Sequence, residues 1–127
     1  MAIQRELTVQ LANSPGTLGR IAQVLGNERI NLLAMSLDAS GALRMVVDNH
    51  LHAAGTLREQ HYKVEERDVL YATVPNEPGS LGRVVKMLAE AGINLDYAYA
   101  SGMDRVSMVA VVVGVPDAQR ASAATGI

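Results

Sequence analysis

The chain has 127 residues, of which 49% are apolar, and a formal net charge of −2. That is enough apolar content for a real core. Four tyrosines and no Phe or Trp, without excess positive charge, disfavour a stacking groove for nucleic acid. The absence of cysteine excludes disulfides, thiolate nucleophiles and Cys-based zinc sites. The start, Met-Ala-Ile-Gln-Arg-Glu-Leu, lacks the basic-then-apolar order of a signal peptide, and the apolar run around 109–113 is far too short to span a bilayer. The expectation is a cytoplasmic protein with neither nucleic acid nor membrane as partner.

In chain order, Leu7, Val9 and Leu11 alternate with polar residues, which predicts a strand over 6–11 with one wet face. Asn13-Ser14-Pro15-Gly16 is turn chemistry. From Thr17 the period changes: Leu18, Ile21, Ala22 and Leu25 stripe one helix face, and Gly26-Asn27 offers a stop. Residues 30–37 predict a second strand, 38–41 a hairpin turn and 43–47 a third strand. A weaker helix is expected over 50–61, and 63–67 reads as a short fourth strand or as the lead-in to the next copy. The order then repeats: strand 69–74, turn at Glu77-Pro78-Gly79, and a helix striped by Leu81, Val84, Val85 and Leu88 that stops near Gly92. Strands follow over 93–100 and 106–113, then about two helical turns over 116–124, with Ser122–Ile127 expected to be disordered.

At an offset of 63, positions 13, 15, 16, 18, 19, 20, 25, 30, 31 and 32 are identical between the two halves. Such a repeat means duplication. It predicts two units, 1–67 and 68–127, each βαββαβ, the split βαβ of ferredoxin-like α+β folds with an antiparallel sheet and helices on one face. The second unit runs out of residues for its fourth strand. The strand 69–74 is then expected to have an open edge, which tends to be covered by another chain and so predicts a homodimer.

A strand, Asn-x-Pro-Gly-x-Leu-Gly, a helix, and Ile-Asn-Leu opening the next strand together resemble the ACT domain. Two in tandem resemble the stand-alone bacterial ACT-repeat proteins. The likeness covers 5–67 and most of 68–116. It implies binding of a small molecule, commonly an amino acid, at interfaces between ACT units, and regulation of a partner enzyme rather than catalysis.

The residues allow such chemistry without the resemblance. Pro15-Gly16 opens a helix, whose first N–H groups and positive dipole end suit a carboxylate. Gly16 permits close backbone approach. Asn13 offers a carbonyl to an ammonium, and Asn31 can face the same region from a neighbouring unit. Thr17 and Leu18 complete the candidate set of the first copy. Asn76, Pro78, Gly79, Ser80, Leu81 and Asn94 form the second. The same turn also forms with no ligand, Asn13 then capping backbone. Gly19 and Gly82, costly inside helical turns, suggest close packing or ligand approach. Arg20 and Arg83 fit either a carboxylate clamp or a solvated helix face. Tyr97 and Tyr99 replace Ala34 and Ser36 of the first copy, so the two sites are not chemically equal. His50 and His52, two apart on a helix, do not share a face, and no metal or cofactor is expected. The repeated Asn, Pro, Gly and Arg bind and shape rather than carry protons. Two functional readings stay open: an amino-acid sensor, or a ligand-free interaction module acting on a partner enzyme or transcription factor.

Overall fold

The computed structural model describes residues 1–126; the end of the expected disordered tail, Ile127, lies outside them. The elements are β1 (Ala2–Gln10), α1 (Thr17–Asn27), β2 (Leu32–Leu37), β3 (Ala42–Val47), α2 (His50–Glu59), β4 (Val64–Pro75), α3 (Ser80–Glu90), β5 (Tyr97–Ser101), β6 (Met108–Gly114) and α4 (Ala118–Thr125). Four helices and antiparallel strands make an α+β fold with strand order β2-β3-β1-β4-β6-β5.

The chain forms two compact units. The N-terminal unit is Arg5–Arg67, and its strands run β2-β3-β1-β4. Leu7 faces Met45 and Val9 faces Leu43 in the β1–β3 ladder. The inward residues of those strands pack with Ile21 and Leu25 of α1 and Ala53, Ala54 and Leu57 of α2. Burying a side chain such as Leu7 stabilises by roughly 1.5–3 kcal/mol. The helix stripe is Leu18, Ile21 and Leu25 with Val24; Ala22, expected on it, is exposed.

The C-terminal unit is Asp68–Ile127 together with Met1–Gln4. Its strand order, β1-β4-β6-β5, repeats that of the first unit, with the start of β1 standing where the fourth strand belongs. Met1 is buried, and with Ile3 it packs on Leu70, Val84, Leu88, Val111 and Val113. Its carbonyl accepts from Ser122 Oγ at 3.2 Å. The edge expected to be open therefore carries the chain's own first residues, and that ground for a homodimer falls away. Sequence periodicity begins β1 at Glu6; the structure begins it at Ala2, because Met1 and Ile3 find their apolar partners 67 and more residues downstream.

Residues 63–67 are at once the fourth strand of the first unit and the lead-in to the second, because Val64–Pro75 is one strand. Two further expectations change. Strands β2 and β5 start later than read, at Leu32 and Tyr97. Residues 122–125 are helical rather than disordered: Asp117 caps α4 by accepting from Arg120 N at 3.0 Å, and Gly126 closes it in the left-handed region at φ 73°.

Candidate functional site

In the N-terminal unit the turn between β1 and α1 borders a pocket of about 190 Å³. Its floor is Asn13, Ser14, Gly16, Thr17, Leu18 and Gly19, and its far wall is the β2–β3 hairpin at Leu37, Asp38, Ala39 and Gly41. Gly16 caps α1 in the left-handed region at φ 87°, a conformation that favours glycine. No side chain caps the helix, and the Gly16 carbonyl already accepts from Arg20 N at 3.0 Å. The N–H groups of Thr17, Leu18 and Gly19 have no partner among the described residues, so the positive end of α1 opens on the pocket. The Asn13 side chain makes no hydrogen bond among the described residues and is exposed. Thr17 Oγ1 is 3.2 Å from both the Ala12 and Ser14 carbonyls and holds the turn shut behind the pocket.

The hairpin wall is braced. The Asp38 carboxylate accepts from Ser40 N at 2.9 Å and from Ser40 Oγ, and lies 3.5 Å from Arg44. The Ser40 hydroxyl foremost, with backbone donors and Arg44, holds Asp38 below its ordinary value. Gly41 sits at φ 87° and its carbonyl accepts from Leu11 N at 2.7 Å. A Cβ there would stand 2.2 Å from the Leu11 carbonyl oxygen, so this position must be glycine. The sequence reading missed Asp38 and the hairpin as pocket residues. Their one signal was Asp-Ala-Ser-Gly at a two-strand junction.

The C-terminal turn has the same backbone and a different use. Gly79 caps α3 at φ 89°. The Asn76 amide, however, donates to the Met103 carbonyl at 3.1 Å and the Val106 carbonyl at 3.0 Å, tying the turn to the β5–β6 connection. Ser80 N donates to Glu77 O at 3.3 Å, Ser80 is buried, and Arg83 reaches Ser80 Oγ at 3.2 Å and Glu77 at 3.4 Å. Leu81 is 51% exposed, whereas its counterpart Leu18 packs on its core. Pro15 and Pro78 are exposed one residue before the capping glycines.

Asn31 and Asn94 do not join these turns within their own units. Each lies past the far end of an 11-residue helix, about 16 Å along the axis. Asn31 N donates to Asp48 Oδ1 at 3.0 Å and its carbonyl accepts from Asp48 N at 3.1 Å. Gly19 and Gly82 have no atom within 4 Å of a Cβ position, so close packing does not explain them. Arg20 is exposed.

A model of the ACT domain pair matches residues 1–121. The chain belongs to the ACT domain pair family. No curated protein matches it. Among solved structures, protein BT0572 from Bacteroides thetaiotaomicron is similar at 27% identity and a TM-score of 0.86, over 98% of this chain and 87% of that one. The ligand-free regulatory subunit of aspartate kinase from Thermus thermophilus has the same fold at 14% identity and a TM-score of 0.70, over 98% and 92%. So does E. coli aspartokinase III in complex with lysine and aspartate, at 16% identity and a TM-score of 0.58, over 99% of this chain and 32% of that one.

In this ACT pair the tyrosines of β5 belong to packing. The rings of Tyr97 and Tyr99 stack at 6.3 Å, and Tyr97 covers Gly114, its ladder partner, where a Cβ would meet the ring at 2.4 Å. Among the described residues no three His, Asp or Glu side chains gather as metal ligands. No helix among them is long and apolar enough to cross a membrane.

Proposed function

We propose that this ACT pair is a regulatory module that binds a free amino acid in the β1–α1 pocket of the N-terminal unit. One observation carries the reading: unpartnered N–H groups at the start of α1 and the residue Asp38 line the same small pocket. An α-amino acid presents both complements. Its carboxylate meets the N–H groups of Thr17, Leu18 and Gly19, and its ammonium faces Asp38 and the Asn13 carbonyl. The solved aspartokinase III holds lysine and aspartate in a chain that contains this fold, which supports an amino acid as the ligand class.

The output is contact with another protein. Leu81, Met103, Val106 and Met108 are exposed apolar residues, and Asn76 ties the turn of the C-terminal unit to the segment that carries Met103 and Val106. Such a patch suits a partner enzyme or a second copy of the chain. A ligand changes that contact by binding two arrangements with different affinity.

Thermal unfolding with each of the twenty L-amino acids tests the reading. At 100 times its dissociation constant a ligand stabilises by about 2.7 kcal/mol, a shift of several degrees. The shift should disappear in Gly16→Val and persist in Gly79→Val. A flat result with all twenty would favour the ligand-free interaction module.

A further inference from the structure

The far ends of the two units differ in one way that points to chemistry. In the N-terminal unit two acids bridge the crevice between the end of α1 and the start of α2. Glu28 Oε2 lies 3.4 Å from His52 Nε2, and the Asp48 carboxylate accepts from Asn31 N. In the C-terminal unit, Asn49 and Asp117 are matching caps, each accepting from the residue three further on, so His52 corresponds to Arg120 and Asp48 to Pro116. The offset of 63 puts Ala91 where Glu28 stood and Asn94 where Asn31 stood. Both acids are gone, while a nitrogen-bearing side chain (His52, then Arg120) and the asparagine remain. The crevice is correspondingly open: a cleft of about 250 Å³ lined by Ala91, Gly92, Asn94, Pro116, Asp117 and Arg120. The Arg120 guanidinium and the Asn94 N–H have no partner among the described residues, and Asp117 is held to its own helix as the cap.

We propose that this cleft is a second ligand site, for the carboxylate of a small organic acid. The ligand supplies in trans the oxygens that Glu28 and Asp48 supply within the first unit. Arg120 pairs with it in a fork, and the Asn94 N–H takes the place of the Asn31 donor. The site is independent of the β1–α1 pocket, which lies in the other unit.

Titration of the ¹⁵N-labelled chain with succinate, at ionic strength fixed by chloride, tests this through the Asn94 amide resonance. A saturable shift is expected. It should weaken by about tenfold or more in Arg120→Gln, the scale of one lost charged hydrogen bond. It should vanish in Ala91→Glu, where the restored acid closes the cleft on Arg120. Both positions are exposed, so neither variant threatens the core. The Thr17 amide, followed in the same spectra, reports on the other pocket separately. No saturable shift, or one unchanged in both variants, overturns the proposal. A shift of Asn94 that follows protein concentration without succinate also overturns it, because an acidic side chain of another copy then fills the cleft.

Discussion

The turns at 13–20 and 76–83 share six of eight residues, and both set a glycine at φ near 90° before a helix of 11 residues. They differ in what comes back to meet them. In the N-terminal unit the β2–β3 hairpin turns tightly at Asp38–Gly41 and stops short, leaving a pocket. In the C-terminal unit the longer β5–β6 connection returns two carbonyls to the Asn76 amide. The same asparagine is thus available in one unit and committed in the other. A repeated motif fixes a backbone shape, and the partner loop decides whether that shape binds or braces.

The largest effect that should break this contrast is Gly41→Ala. The new Cβ collides with a backbone carbonyl at a positive φ, and about 2–4 kcal/mol of stability should be lost in urea unfolding, together with the pocket. A loss under about 0.5 kcal/mol would mean the hairpin is free to move. Next, Asn76→Ala should cost about 1–2 kcal/mol by removing two bonds to the hairpin. Asn13→Ala should change stability by less than about 0.5 kcal/mol and weaken amino-acid binding, and equal costs at the two positions would erase the distinction.

Acidification sharpens the comparison further. Asp38 is held below its ordinary value, so its ionised form is the one the fold favours. Its bracing is complete above the unfolded carboxylate value and is lost as pH falls through the depressed folded one. Amino-acid affinity, measured by calorimetry, should hold at neutral pH and fall several-fold once Asp38 is protonated. An affinity flat through that range would remove Asp38 from the site.

The smallest effect concerns the helix ends. Arg29 occupies the left-handed region at φ 58°, where the second copy has Gly92 at φ 72°. Arg29→Gly should be neutral or stabilise by up to about 1 kcal/mol in thermal unfolding. A loss would show that the arginine side chain has a role that the backbone does not reveal.

The helix stripes and the strand alternation of Leu7–Leu11 were legible because their period is local. The turn glycines were legible because they appear twice at one spacing. Asp38 was not, since its place opposite α1 depends on a strand pairing that no local pattern encodes. The sequence places Asn31 and Asn94 toward the turn of a neighbouring unit, and within its own unit each is separated from the turn by a helix.

By itself, then, the sequence determined the duplication, the βαββαβ order and the conformation of both turns, all of which rest on steric and periodic rules that act within a few residues. Only the tertiary structure decided which asparagine is spent, where Met1–Gln4 belong and which crevice stays open. Each of those depends on groups brought together from 17 to more than 100 residues apart, as Asn31 with Asp48 and Met1 with Ser122. Contacts at that separation are settled by which packing buries the apolar residues and satisfies the polar ones together.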